Sequence, residues 1–154
     1  MKLVRFGAAG AEKPGIVDAD GKVRDVSSKV ADFVGAQLDP AALAKLRAID
    51  LGALPIVPDG VRLGPPVAGT RNFVAIGLNY ADHAKETGQE LPAEPILFNK
   101  APTCICGPND DTMVPKASTK LDWEVELGIV IGQRARYLTK KDAIESALMM
   151  ADSP

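Results

Sequence analysis

Asp122-Trp-Glu-Val-Glu-Leu-Gly-Ile-Val-Ile-Gly132 is the stretch on which the fold turns. Val125, Ile129, Val130 and Ile131 carry no helical period, so the run reads as a buried strand. Side chains alternate along a strand, which sends Asp122, Glu124 and Glu126 to one face and Trp123, Val125 and Leu127 to the other. Carboxylates side by side on an apolar strand repel one another and resist desolvation unless a cation lies between them. A hard divalent ion bound through oxygen is the simplest solution. A strand with a solvated polar face shows the same alternation. The apolar tail from Leu127 to Ile131 tilts the reading towards burial and a site.

Around that stretch the bulk properties are ordinary. The chain has 154 residues, enough for one domain, or for one small domain and part of another. Hydrophobic content of 46% and charged content of 25% are those of a soluble globular protein. A net charge of −2 argues against a nucleic-acid or anionic-membrane binder, which needs a basic excess or patch. No apolar run approaches the roughly 20 residues of a membrane span. The N-terminus lacks an apolar signal core, so the expected location is cytoplasmic. Cys104 and Cys106 are spaced wrongly for a zinc knuckle or a disulfide framework, and are expected as reduced thiols on one face of a strand.

Upstream, residues 2–27 suggest a small β unit. Leu3 to Phe6 forms one strand, and Ile16, Val17 and Val23 flank Asp18-Ala-Asp20-Gly21, a hairpin signal. Residues 28–50 turn helical, with Asp39 as N-cap, Pro40 at the first helical position and Ala42, Leu43, Leu46 and Ile49 as the apolar stripe. From Leu54 to Gly69 the chain is rich in proline and glycine and is expected to be a linker. The expected organisation is a small N-terminal domain over 1–60, a linker over 61–70 and a second domain over 71–154. In that second part Phe73 to Gly77 is a strand leading into a helix capped by Asn79 and ended by Gly88. Pro95 to Phe98 is a strand, with shorter ones near Cys104 and Met113-Val114. Thr139-Lys-Lys-Asp142 resembles a capping box that opens a helix through Met150.

His83 is the only histidine, and lies three residues before Glu86, so the two share one face of the expected helix. A carboxylate beside an imidazole raises its pKa and fixes its orientation, as a general base needs. An exposed histidine near a surface acid is the plainer alternative. Gly77-Leu-Asn-Tyr80 is a strand-to-helix junction, where active sites cluster. Lys100 follows an apolar strand end, where it can meet an anionic substrate or simply water.

Four ordered motifs resemble the fumarylacetoacetate hydrolase family. They are Ala75-Ile-Gly-Leu-Asn-Tyr-Ala-Asp-His83-Ala-Lys-Glu86, Glu94-Pro-Ile-Leu-Phe-Asn-Lys100, Gly107-Pro-Asn-Asp110 and, above all, Leu121-Asp-Trp-Glu124-Val-Glu126-Leu-Gly-Ile-Val-Ile-Gly132. Within the family the chain resembles the bacterial 2-hydroxyhepta-2,4-diene-1,7-dioate isomerase and 2-keto-4-pentenoate hydratase-like subgroup, in its N-terminal portion. The resemblance implies an α+β fold: a small N-terminal α/β domain, then the first part of a catalytic domain of rolled, mixed β-sheets. It also implies a divalent metal, Mg²⁺ or Mn²⁺, with Glu124 and Glu126 as ligands. His83 and Glu86 match the family's water-activating dyad, and Lys100 and Tyr80 match positions that line the substrate pocket. The implied substrates are small 2-oxo acids and acylpyruvates. The implied reactions are hydrolytic carbon–carbon cleavage, hydration, isomerisation or decarboxylation, in a full-length form that is a homodimer.

The chain departs from the family pattern in two places. A third carboxylate ligand is expected about thirty residues after Glu126, just past Pro154, because a hard cation wants several oxygens. Asp152 lies near that position in a non-matching context and takes no ligand role. Leu78 stands where many members carry arginine, which shifts the expected substrate preference. The expectation is therefore an incomplete catalytic domain with exposed strand edges and apolar faces, binding metal weakly and turning over slowly. Two rivals stand beside the hydrolase: a lyase on the same scaffold acting on a ureidoglycolate or a 2-oxo sugar acid, and a non-catalytic metal-binding or oligomerisation fragment.

Overall fold

A computed structural model of the chain describes the backbone of residues 1–149 and the side chains of residues 1–144. The fold is α+β and divides into two compact units, Met1–Gly69 together with the chain from Cys106 onward, and Thr70–Ile105. In the first unit, β1 (Lys2–Phe6), β2 (Lys13–Val17), β3 (Val23–Asp25) and β4 (Leu63–Gly64) form one antiparallel sheet in the order β3-β2-β1-β4. The β2–β3 hairpin closes as its sequence dictates. Asp18 accepts hydrogen bonds from the amides of Asp20 and Lys22, and Gly21 takes a positive φ of 78°.

Helix α1 (Pro40–Arg47) starts where Asp39 accepts from the Ala42 amide at 2.7 Å with Pro40 in its first turn. Its buried face, Leu43 and Leu46, joins Ile16, Val26, Phe33 and Leu38 in the core. Arg5 is buried in β1 at little cost, because its Nε and Nη2 donate to both oxygens of Asp32 at 2.7 and 3.0 Å. Residues 54–69, for all their prolines, are hydrogen-bonded into this unit. Val57 donates its amide to the Val23 carbonyl, Gly7 to Arg62, and Ala68 to Phe33. Proline is tolerated at a sheet edge, and that is where these residues lie.

The later part of the first unit departs from its sequence-based expectations. The strand expected over the acidic motif shrinks to β7 (Ile129–Ile131), and residues 121–127 are exposed, with Trp123 at 78%. A strand needs a neighbour to satisfy its amides. Among the described residues β7 pairs with β8 (Ala147–Met149) from Ile131↔Ala147 to Ile129↔Met149, and Glu126 makes a single bridge. Helix α3 (Lys140–Ser146) opens with Thr139 Oγ1 accepting from the Asp142 amide at 3.2 Å. It stops short of the expected end because residues 147–149 enter the β7 pairing, where a sheet partner outweighs helix propensity. Met150 and Asp152 lie outside the described residues. No strand forms at Met113-Val114, and Cys104 ends a 3-10 turn begun by Pro102. Both cysteines are free thiols and exposed, off any strand.

The second unit is an antiparallel ribbon of β5 (Phe73–Gly77) and β6 (Ile96–Lys100), joined through helix α2 (Ala81–Glu86). Both faces of the ribbon are apolar and exposed: Phe73, Ile96 and Phe98 on one, Val74, Ile76 and Leu97 on the other. No helix among the described residues is long and apolar enough to cross a membrane.

Candidate functional site

Strand β5 runs into α2 through a sharp turn at Leu78, whose φ of 48° lies in the left-handed region. A leucine held there is strained, and such strain is frequent where a backbone must turn a site into position. The turn forms one wall of a cleft of about 330 Å³, lined by Ile76 to Asn79 and, opposite, by Leu91 to Pro95. The cleft is apolar apart from Asn79 and Glu94.

Beyond the turn, Tyr80 takes the N-cap position of α2 and makes no side-chain cap bond. The expected cap, Asn79, falls one residue early, because the left-handed Leu78 delays the first helical residue to Ala81. The far end is as expected. Gly88 has a φ of 66°, its amide donates to the Lys85 carbonyl, and the Gln89 amide donates to Ala84, the two bonds of a Schellman ending. Ala84 is buried, which presses one side of this short helix inward. His83 and Glu86, three residues apart on α2, are both exposed and make no hydrogen bond or ion pair with each other. Tyr80 is exposed too, and Lys100 is half-buried at the end of β6, in register with Phe73. Tyr80, His83, Glu86 and Lys100 thus all belong to the second unit.

Glu124 and Glu126 belong to the first unit and are exposed on an extended segment, not buried on a strand. Among the described residues, no group of three or more His, Cys, Asp or Glu side chains is arranged to hold a metal ion. A hard divalent cation takes about six to eight oxygens, and two exposed carboxylates leave most of those positions unfilled. The described residues do not by themselves fit the Mg²⁺ or Mn²⁺ that the motif implies.

One charged assembly in the first unit escaped the sequence reading. Arg62, just before β4, donates from Nε and Nη2 to the two oxygens of Asp110, both at 2.6 Å. Its Nη1 donates to Glu12 at 2.9 Å and to the Gly7 carbonyl at 3.1 Å. Arg62 holds the carboxyls of both Glu12 and Asp110 below the usual carboxylate range, and they in turn raise the guanidinium. The turn sequence Gly107-Pro-Asn-Asp110 hinted at a local Asp bond, but nothing in it pointed to Arg62, 48 residues away.

Residues 72–149 match the family described as Fumarylacetoacetate (FAA) hydrolase C-terminal. A protein of Burkholderia ambifaria and another of Burkholderia lata, each named "Putative hydrolase", are 52% and 51% identical over 145 residues, 94% of this chain. The chain spans about half the length of the curated relatives it matches, 51% in both cases. Among solved structures, the fumarylacetoacetate hydrolase from psychrophilic Exiguobacterium antarcticum is similar with a TM-score of 0.72 at 34% identity. A "putative HpcE protein" from Mycobacterium smegmatis is similar with a TM-score of 0.75 at 30% identity. Each alignment covers 96% of this chain and 52% of the other. On the match across residues 72–149, half of its length, the chain belongs to the fumarylacetoacetate hydrolase family.

Proposed function

We propose that the chain carries the water-activating part of an enzyme that hydrolyses a carbon–carbon bond in a small 2-oxo acid or acylpyruvate, or that hydrates or decarboxylates such an acid. The observation that carries this reading is His83 and Glu86 on one helix, directly after the strained turn that walls the cleft. In the hydrolytic step the neutral imidazole of His83 takes a proton from water, and the oxygen adds to the carbonyl distal to the carboxylate. Collapse of the adduct breaks the carbon–carbon bond and leaves its electron pair on the 2-oxo fragment as an enolate. The imidazolium returns the proton to that carbon. Glu86, three residues on, orients the ring once substrate draws the two together. Leu78 and Leu91, which line the cleft, would receive an apolar part of the substrate. Tyr80 and Lys100, which do not line it, are assigned its polar or anionic end on the motif resemblance alone.

Dependence on Mg²⁺ or Mn²⁺ through Glu124 and Glu126, and a homodimeric full-length form, belong to the same proposal. Within that chemistry His83 and Glu86 carry the proton steps. A fumarylacetoacetate hydrolase among the similar structures supports a hydrolase acting on a small oxo acid.

The test is hydrolysis of an acylpyruvate, and of ureidoglycolate as the lyase arm, with Mg²⁺ and then with chelator. His83→Ala should lower the hydrolytic rate by about 100- to 10,000-fold and leave Mn²⁺ binding unchanged. Wild-type rates in that variant would remove histidine from the mechanism. A second reading, a non-catalytic metal-binding or oligomerisation fragment, is favoured by the exposure of Glu124 and Glu126. It predicts Mn²⁺ binding or self-association with no turnover of either substrate.

A further inference from the structure

We infer that Arg62 is a positioning residue: through Asp110 it fixes the point on the small sheet from which the segment bearing Glu124 and Glu126 departs. The Gly107–Asp110 turn is held from both sides. Internally, Asp110 accepts from the Gly107 amide at 2.6 Å while its own amide donates to the Gly107 carbonyl at 3.1 Å. Externally, the planar fork of Arg62 takes both of its oxygens. The contact is close enough to demand glycine. A Cβ on Gly107 would sit 2.1 Å from the Leu63 carbonyl oxygen of β4, and one on Gly64 would sit 2.6 Å from Glu12.

The fork is itself braced. Glu12 lies 3.6 Å from Arg5 as well as 2.9 Å from Arg62, and Arg5 pairs with Asp32, so Asp32, Arg5, Glu12, Arg62 and Asp110 form one chain of alternating charge. That chain reaches from the loop before α1, across β1 and β4, to the turn at 107–110. Beyond the turn, residues 111–127 form no strand apart from a single bridge at Glu126 and are almost wholly exposed. The clasped turn is the point at which this segment leaves the sheet, ahead of the bridge at Glu126 and of β7. Lysine cannot reproduce the grip, because an ammonium is a point charge and cannot meet two carboxylate oxygens and a second acid in one plane.

The inference rests on the proposed role of Glu124 and Glu126 only in its consequence for metal binding. It is tested on the full chain with Arg62→Lys and Asp110→Asn, using Trp123, the single tryptophan, as a reporter beside the acid pair. Amide exchange at Gly107 and Asp110 should rise by about tenfold or more, the equivalent of one charged hydrogen bond lost. Exchange along β1 and β2 should stay as in wild type, and the fluorescence anisotropy of Trp123 should fall. Paramagnetic broadening of the Trp123 indole signal by Mn²⁺ should also weaken. Exchange that rises equally in β1 and β2 would make Arg62 a stability residue and overturn the inference. So would unchanged exchange at Gly107, or looser exchange there with unchanged Trp123 anisotropy. A wild-type chain that shows no Mn²⁺ broadening would sink the metal reading of Glu124 and Glu126, while exchange and anisotropy still decide the role of Arg62.

Discussion

The side chains with the clearest energetic consequence are Glu12 and Asp110. Both carboxyls are held below their ordinary range, first by the hydrogen bonds from Arg62. A group with a lowered native pKa contributes stability that is complete above its unfolded value, about 4. That contribution is lost as the pH falls through the lowered native value. Arg62→Met should therefore flatten the acid limb of a plot of urea midpoint against pH. Asp18, held low by Arg24, should leave a residual acid sensitivity in that variant. An acid limb identical to wild type would show that the clasp does not hold in solution. Gly107→Ala forces a Cβ against the Leu63 carbonyl and should cost about 1–3 kcal/mol, read as a lower urea midpoint at unchanged slope.

At the scale of elements, the helices show which end signals hold without help from the rest of the molecule. The Asp39 cap of α1 is a local bond across three residues, and Asp39→Ala should destabilise the first unit by about 1 kcal/mol in urea denaturation. Gly88 ends α2 in the left-handed region. Gly88→Ala should cost about 1 kcal/mol and speed amide exchange at Gln89, whose bond to Ala84 depends on that conformation. The acidic segment behaves oppositely. Its alternation suits a strand, but an alternating stretch becomes a strand only when a neighbour is in register, and among the described residues 121–127 only Glu126 is bridged. Trp123 should accordingly emit at the red end of the tryptophan range and be quenched freely by acrylamide. A blue-shifted, protected Trp123 would restore the buried strand.

Over the whole molecule, stability is concentrated in one place. Phe33, Ile16 and Val26 are fully buried in the first unit, and Phe33→Ala should cost about 3–5 kcal/mol. The ribbon of the second unit has no such core. Two strands with apolar side chains exposed on both faces are marginal alone, and a surface of that kind favours association. Sedimentation velocity should show an apparent mass that rises with concentration, and Leu97→Lys on the exposed β6 face should reduce that rise. A concentration-independent monomer would show that the ribbon is covered.

What can be read along the chain is local: the Asp18–Gly21 hairpin, the start of α1, the end of α2, the Thr139 capping box and the sharing of one helix by His83 and Glu86. Each depends on residues at most about one helical turn apart, so the bonds they make are written in their spacing. The family was legible for a related reason, since its four motifs lie in order along the chain. The rest came with the folding of distant segments onto one another. It took Ala147 to Met149 out of the expected helix and into a pairing, put Leu78 into a left-handed turn, and left Glu124 and Glu126 in the open. It also joined Arg62 to an aspartate 48 residues away. Strand pairing and ion pairing are contacts between distant segments, and their partners cannot be read from the pattern of either segment alone.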